Sequence, residues 1–313
     1  MNEFQFLPDQ ARDIGTDRIP PVRRLTHELP DGRTVSALQY GDALSSDFPP
    51  PVVTFLHGAG LNAHTWDTTA IALGLPALAL DLPGHGDSSW RTDAAYAGRP
   101  LAEDIVGALE KWCETPQVLV GQSLGGLTAA ALAASHPDLV RELVVVDISP
   151  GIDPNAGASQ IAAFFAGPTD WASREELVER AMQFGLGGTP EAATRGVFLN
   201  SRVRPDGRVE WKHHFAHLAA AMAADPVAAQ AALSGQDALR SVLTASGWDD
   251  LAAVRAPITL VHGERGFLTE QDVTDYRAYR PDAVTIAVSS GHNVQEEAPA
   301  ELAEIVAAVV SRA

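Results

Sequence analysis

Most strand-like segments of this 313-residue chain are unbroken apolar runs, not alternating ones. Val52–Leu56, Ala77–Leu80, Gln117–Val120, Leu143–Val146, Pro257–Val261 and Ala283–Val288 each read as a short buried strand. Between them lie stretches of helical spacing near Thr65–Leu73, Leu101–Trp112, Leu127–Ala134, Glu270–Tyr279 and Pro299–Ser311. Strands that alternate with helices and are apolar on both faces predict an α/β fold, a mostly parallel sheet covered by helices on either side. Ahead of this pattern, Val22–Leu29 and Arg33–Gly41 are strand-like runs flanking the turn Pro30-Asp31-Gly32. Residues 1–21 carry no period and read as a loose arm.

The alternation breaks after Ser149. Residues 151–247 hold helical segments, Ser173–Phe184 and His213–Ala224 among them, but no convincing strand. The stretch is too long for a loop. It reads as a helical cap over the carboxyl edge of the sheet. The expected organisation is therefore a core of residues 1–150 and 248–313, with 1–21 as its arm, and a cap of 151–247.

Composition narrows the partners. A formal net charge of −18 argues against nucleic acid or an anionic membrane surface. No apolar run reaches membrane-spanning length. The lone Cys113 excludes an internal disulfide and lies in a helical pattern, which suits a core or surface thiol better than a nucleophile. The first residues are acidic and lack the basic-then-apolar order of a secretory leader, so a cytoplasmic protein is expected.

One strand-to-helix junction carries chemistry. It reads Gly121-Gln122-Ser123-Leu124-Gly125-Gly126. A turn this sharp would drive a side chain on either flank into neighbouring backbone, so glycine is required at 121 and 125. The strain lifts the Ser123 hydroxyl out of the turn. It also sets the Leu124 N–H at the positive start of a helix, where an oxyanion would find a donor. A glycine-rich linker without chemistry could carry the same residues, and the rest of the chain must decide.

Three further stretches stand in order around this junction: His57-Gly58-Ala59-Gly60 after a strand, Asp81-Leu82-Pro83-Gly84-His85-Gly86-Asp87-Ser88 after the next, and Gly291-His292 before the last helix. Together they make the chain resemble the α/β-hydrolase superfamily from about residue 22 to its end. The resemblance implies the α/β-hydrolase fold with a cap inserted after strand six, a Ser…acid…His triad in that chain order, an oxyanion hole and a hydrolytic reaction. Haloalkane dehalogenases and epoxide hydrolases of the superfamily resemble the chain less, because they place an aspartate at the elbow position.

Ten histidines compete for the role of base. The family uses His57 and His85 structurally, in glycine loops near the mouth. His262 ends a strand before Gly263 and suits a core position. His213, His214 and His217 lie together, but a metal-binding H-E-x-x-H lacks its glutamate here, and a solvated helix face is the reading adopted. His27, His64 and His136 have no supporting context. His292, in Ser289-Ser290-Gly291-His292-Asn293 between a strand and the final helix, is the candidate.

The acid departs from the commoner family pattern. The stretch after strand seven reads Gly263-Glu264-Arg265-Gly266-Phe267-Leu268-Thr269, with no aspartate where one is expected. Val145-Val146-Asp147-Ile148-Ser149-Pro150 is similar to the version carried by some esterases of the superfamily, with the acid at the end of strand six. Asp147 is therefore the candidate, Glu264 the fallback, and Glu270 or Asp272 less suitable because each starts a helix.

The expected oxyanion donors are the backbone N–H groups of Ala59 and Leu124. His57, Phe165, Trp171 and Trp211 are candidate pocket residues. Cap aromatics, with Phe164, Phe184, Phe198 and Phe215 beside them, could equally form the cap's own core. The reading that follows is a serine carboxylesterase for small or medium, mostly apolar esters, needing no metal or organic cofactor. A carbon–carbon bond hydrolase or lyase with the same triad, or a non-catalytic ligand-binding protein on this fold, are its rivals.

Overall fold

A computed structural model describes residues 2–45, 47–151, 167–184, 189–224 and 247–312. Six strands come first: β1 Val22–Glu28, β2 Thr34–Tyr40, β3 Val53–Leu56, β4 Ala77–Asp81, β5 Gln117–Gln122 and β6 Val140–Val146. Within the insertion lie β7 Asp170–Trp171, β8 Ser201–Val203 and β9 Val209–Trp211, followed by β10 Ile258–Gly263 and β11 Val284–Val288. The main sheet has eight strands in the order β1-β2-β4-β3-β5-β6-β10-β11. Pairing is antiparallel from β1 to β2 and from β2 to β4, and parallel from β4 onward.

The unbroken apolar runs follow from this burial on two faces. Leu78, Leu80, Leu119, Leu143 and Val145 point into one helical layer, with Leu101, Ile105 and Leu132. Their chain neighbours Ala77, Ala79, Val118, Val120, Val144 and Val146 point into the other, with Trp66, Ala70, Leu302 and Val306. A strand with helices on both sides has no wet face, so nothing along it needs to be polar. Among the described residues no helix is long and apolar enough to cross a membrane.

Two expectations are corrected. The N-terminal segment is not a loose arm: Glu3–Phe6 forms a 3-10 turn and Leu7–Asp13 an α-helix, α1. Leu7 and Ala11 of α1 are buried against Ile71 of the helix α2, Asp67–Leu73. Two turns give too little repeat for periodicity to reveal, and the docking comes from tertiary packing. The insertion is also not purely helical. Strands β7, β9 and β8 form a small antiparallel sheet, in that spatial order. At two or three residues each they are too short to show alternation.

Around this small sheet the described part of the insertion has its own core. Trp171, Leu177, Ala181, Val197, Val209, Trp211 and Ala216 are buried together, with Phe184 packed against them.

Candidate active site

The turn after β5 is as tight as its glycines suggest. Ser123 has φ 53° and ψ −120°, a left-handed conformation that a β-substituted residue holds only under constraint. Its N–H donates to the Val146 carbonyl of β6 at 3.1 Å, while its carbonyl accepts from Gly126 and Leu127 at 2.8 and 3.2 Å. A Cβ at Gly121 would collide with the Gly125 carbonyl, and one at Gly125 with the Leu56 carbonyl. The helix Leu124–Ser135 starts at the next residue, which sets the positive end of its dipole at the elbow.

Asp147 stands one strand over, directly after β6, with φ 49° and no exposed surface. Its N–H donates to the Val261 carbonyl of β10 at 2.8 Å. The carboxylate accepts the Gly263 N–H at 3.0 Å on Oδ1 and the Phe267 N–H at 2.7 Å on Oδ2. His292 turns its Nδ1 to the same Oδ2 at 2.7 Å. A buried carboxylate keeps its charge cheaply only when hydrogen bonds replace water, and three donors here do so. A Cβ at Gly266 would collide with both carboxylate oxygens. Glycine stands there because the Asp147 side chain occupies that space.

His292 sits on the turn between β11 and the short helix Val294–Glu297. Phe267 stacks on its imidazole with ring centroids 3.6 Å apart and planes 8° from parallel. Gln122, beside Ser123, donates from Nε2 to the His292 carbonyl at 3.3 Å and to Asn293 Oδ1 at 3.4 Å. The residue preceding the serine thus tethers the histidine's loop to the elbow. Among the described residues no hydrogen bond joins the Ser123 hydroxyl to His292. Such bonds are often long before substrate binds.

The other expected residues divide. Leu124 is first in its helix, and Gly58, the residue before Ala59, lies so close to the elbow that a Cβ there would sit 3.2 Å from the Ser123 Cβ. His57 is fully buried, takes the Leu82 N–H on Nε2 at 3.0 Å, and donates from Nδ1 to the Gly58 carbonyl at 2.8 Å. Burial pushes its pKa below the ordinary value, so it is a neutral peg beneath the loop and offers no free polar atom to a pocket. Trp171 and Trp211 belong to the insertion's core, their rings edge-to-face at 5.9 Å. Phe164 and Phe165 lie outside the described residues. Glu264 is exposed and its N–H is tied to the Val288 carbonyl at 2.9 Å.

The histidines at 213–217 are not a solvated face. His213 is wholly buried and pushed down to about 3 by desolvation and by the charges of its histidine neighbours. His214 stacks on Trp90 at 4.4 Å and pairs with the Tyr96 hydroxyl at 2.7 Å. A cavity of about 310 Å³ lies elsewhere, lined by Glu3, His64, Arg174, Phe198, Arg202 and Lys212 among others, and reaches none of Ser123, Asp147 and His292.

The residues that position the site without any local motif are Gln122, Gly266 and Phe267. Gly266 and Phe267 carry the one usable sequence signal, since neither is the aspartate that the commoner family pattern has there.

This strand order, with a left-handed serine after β5 and an aspartate-bonded histidine before the last helices, defines an α/β-hydrolase. The sequence matches the model of the alpha/beta hydrolase family over residues 55–305, and the chain belongs to that family. Esterase Rv0045c of Mycobacterium tuberculosis is 36% identical over 320 aligned residues, covering 99% of this chain and 96% of that protein. A crystal structure of that esterase superposes with a TM-score of 0.76 at 34% identity, covering 99% of this chain and 98% of the other. The sn-1-specific diacylglycerol lipase ABHD11 of Mus musculus is 34% identical, over 54% of this chain and 57% of its own.

Proposed function

We propose that the protein is a serine carboxylesterase acting on small or medium, mostly apolar esters. Ser123 is the nucleophile, His292 the general base and acid, and Asp147 the group that holds the imidazole. The observation that carries this reading is the 2.7 Å contact of His292 Nδ1 with a carboxylate buried one strand from the elbow serine. With Nδ1–H donated to Asp147, Nε2 is left as an acceptor on the side of the substrate. The relative named an esterase, aligned over nearly the whole chain, supports ester cleavage over other hydrolytic chemistry.

The steps follow from these atoms. His292 Nε2 takes the hydroxyl proton as Ser123 Oγ attacks the ester carbonyl. The tetrahedral oxyanion forms against the Leu124 and Ala59 N–H groups, which cost no reorganisation because the backbone already holds them. His292 returns the proton to the leaving alcohol, and the acyl group stays on Ser123. Water then attacks the acyl carbonyl as it gives a proton to Nε2, and His292 hands that proton to Ser123 Oγ as the acid leaves. Every proton moves among Ser123, His292, the alcohol and water.

Residues 151–247 act in this reading as the cap over that edge, selecting the acyl group without supplying reacting atoms. The test is a fluorophosphonate label followed by a series of p-nitrophenyl esters of increasing acyl length, with lactones and β-diketones beside it. Labelling confined to Ser123, with ester turnover showing a length optimum, is the expected result. Turnover of diketones alone would overturn it.

A further inference from the structure

A side chain of the insertion reaches the loop that carries the candidate oxyanion donor Ala59. Asn200 is the last residue of the helix Pro190–Asn200. Its Nδ2 donates to the Gly60 carbonyl, 140 residues away in sequence, at 2.6 Å. The contact is braced from the other side: Asn62, 5% exposed, donates from Nδ2 to the Leu199 carbonyl and to Asn200 Oδ1, both at 3.2 Å. The Asn200 carbonyl in turn accepts the Lys212 N–H at 2.8 Å, tying the helix end to the residue that follows β9.

What this bond does depends on which peptide it grips. The Gly60 carbonyl belongs to the same peptide plane as the Leu61 N–H, and in a trans peptide the two point opposite ways. The Leu61 N–H donates to the Gly58 carbonyl at 3.2 Å. That carbonyl shares its plane with the Ala59 N–H, the expected oxyanion donor. A single line of hydrogen bonds therefore runs from Asn200 Nδ2 through two peptide groups to the Ala59 N–H. Each bond fixes the tilt of the next plane, and each polarises the next N–H in the same direction. His57 Nδ1, 2.8 Å from the Gly58 carbonyl, grips the second plane from beneath. Among the described residues the first plane has no such peg from the core and takes its grip from Asn200. Gly60 has φ 77°, so its backbone is free to rotate into other conformations once that grip is lost.

We propose that Asn200, a residue of the insertion, is a positioning residue for the oxyanion hole, aligning and polarising the Ala59 N–H through the Gly60–Leu61 and Gly58–Ala59 peptides. This rests on the reading of Ala59 as an oxyanion donor. It makes the insertion part of the chemistry and not only a filter over it.

The test uses the full chain with Asn200→Asp, which keeps the shape but replaces the donor with a carboxylate facing a carbonyl. Asn200→Ser serves as a second variant should the first fail to fold. Both are assayed on a p-nitrophenyl ester and on its thiono counterpart, whose sulfur accepts hydrogen bonds poorly. The expected result is an oxoester kcat lower by roughly 10-fold to 100-fold with KM changed by less than about 2-fold. The thionoester rate should fall much less, so the oxo-to-thiono ratio shrinks. A role confined to packing would lower both rates together and leave the ratio where it was. An unchanged ratio in a folded variant of an active enzyme overturns the proposal while leaving the esterase reading intact. A wild-type chain that neither turns over esters nor takes the fluorophosphonate removes the reading beneath it.

Discussion

The carboxyl edge of the sheet and the described part of the insertion handle polar groups in opposite ways. At the edge, Asp147 is completely buried, yet backbone from the end of β10 and the loop after it, together with the His292 ring, meets its oxygens. In the insertion the main buried cluster is apolar, built on Trp171 and Trp211, although Glu210 and His213 are buried too, and ion pairs such as those of Asp170 with Arg204 and Arg208 stay partly exposed. A buried charge with fixed donors is geometrically over-determined, so a small displacement is costly. An apolar core tolerates reshaping at similar volume. The edge can therefore hold reacting atoms in register while the insertion changes what it admits.

Variants that break this contrast should differ in size. Ser123→Ala is expected to abolish fluorophosphonate labelling and lower ester kcat by a factor on the order of 10⁴ or more, read by intact mass and a chromogenic assay. Gly266→Ala removes no polar atom but forces a methyl group onto the Asp147 carboxylate. We expect a loss of roughly 10-fold to 100-fold in turnover with the far-ultraviolet spectrum unchanged. Full activity would mean that the carboxylate can move without harm. In the insertion, Trp171→Ala should lower stability by about 3–5 kcal/mol in denaturant titration, if the insertion unfolds with the core. It should shift acyl-length preference while leaving the shortest acetate ester within about 10-fold of wild type. A uniform loss across chain lengths would mean that Trp171 serves only as the insertion's structural core.

The smallest effect lies at the N-terminal segment. His64 is buried, which depresses its pKa, but Asp67 at 2.9 Å and Glu3 at 3.3 Å outweigh this and raise it to about 9. A raised histidine stabilises the fold fully below its unfolded value of roughly 6.5, and that contribution is lost as pH climbs through about 9. The thermal midpoint should therefore fall between pH 7 and pH 10 (roughly), by the equivalent of at most about 3 kcal/mol. His64→Gln should flatten that slope, and an equal slope in the variant would place the titration elsewhere.

How much of this was legible depends on the range of the force involved. The sheet is legible because burial on two faces writes itself into each strand as an apolar run. The elbow is legible because steric demand at Gly121 and Gly125 is local. Asp147 can be picked out as a candidate because an apolar strand ends in it and no aspartate stands at 266 or 267. The reason Gly266 is a glycine is a contact across 119 positions, from 147 to 266, and no local pattern carries it. The same holds for Asn62 and Asn200, and for the docking of α1 on Ile71. In the sequence His57 reads both as a structural loop residue and as a pocket candidate, and the 213–217 histidines as a solvated face; packing shows His57 pegged and His213 buried.

The central claim is that a carboxylate after β6, not one after β10, holds the base beside Ser123. The direct measurement is turnover of one chromogenic ester by Asp147→Asn and Glu264→Gln, each first shown by circular dichroism to be folded. Asparagine keeps the shape at 147 but cannot hold Nδ1–H as a carboxylate does, so a loss of roughly 10³-fold to 10⁴-fold is expected there. Glu264 is exposed and should matter by less than about 10-fold. A near-normal Asp147→Asn beside an inactive Glu264→Gln would contradict the account.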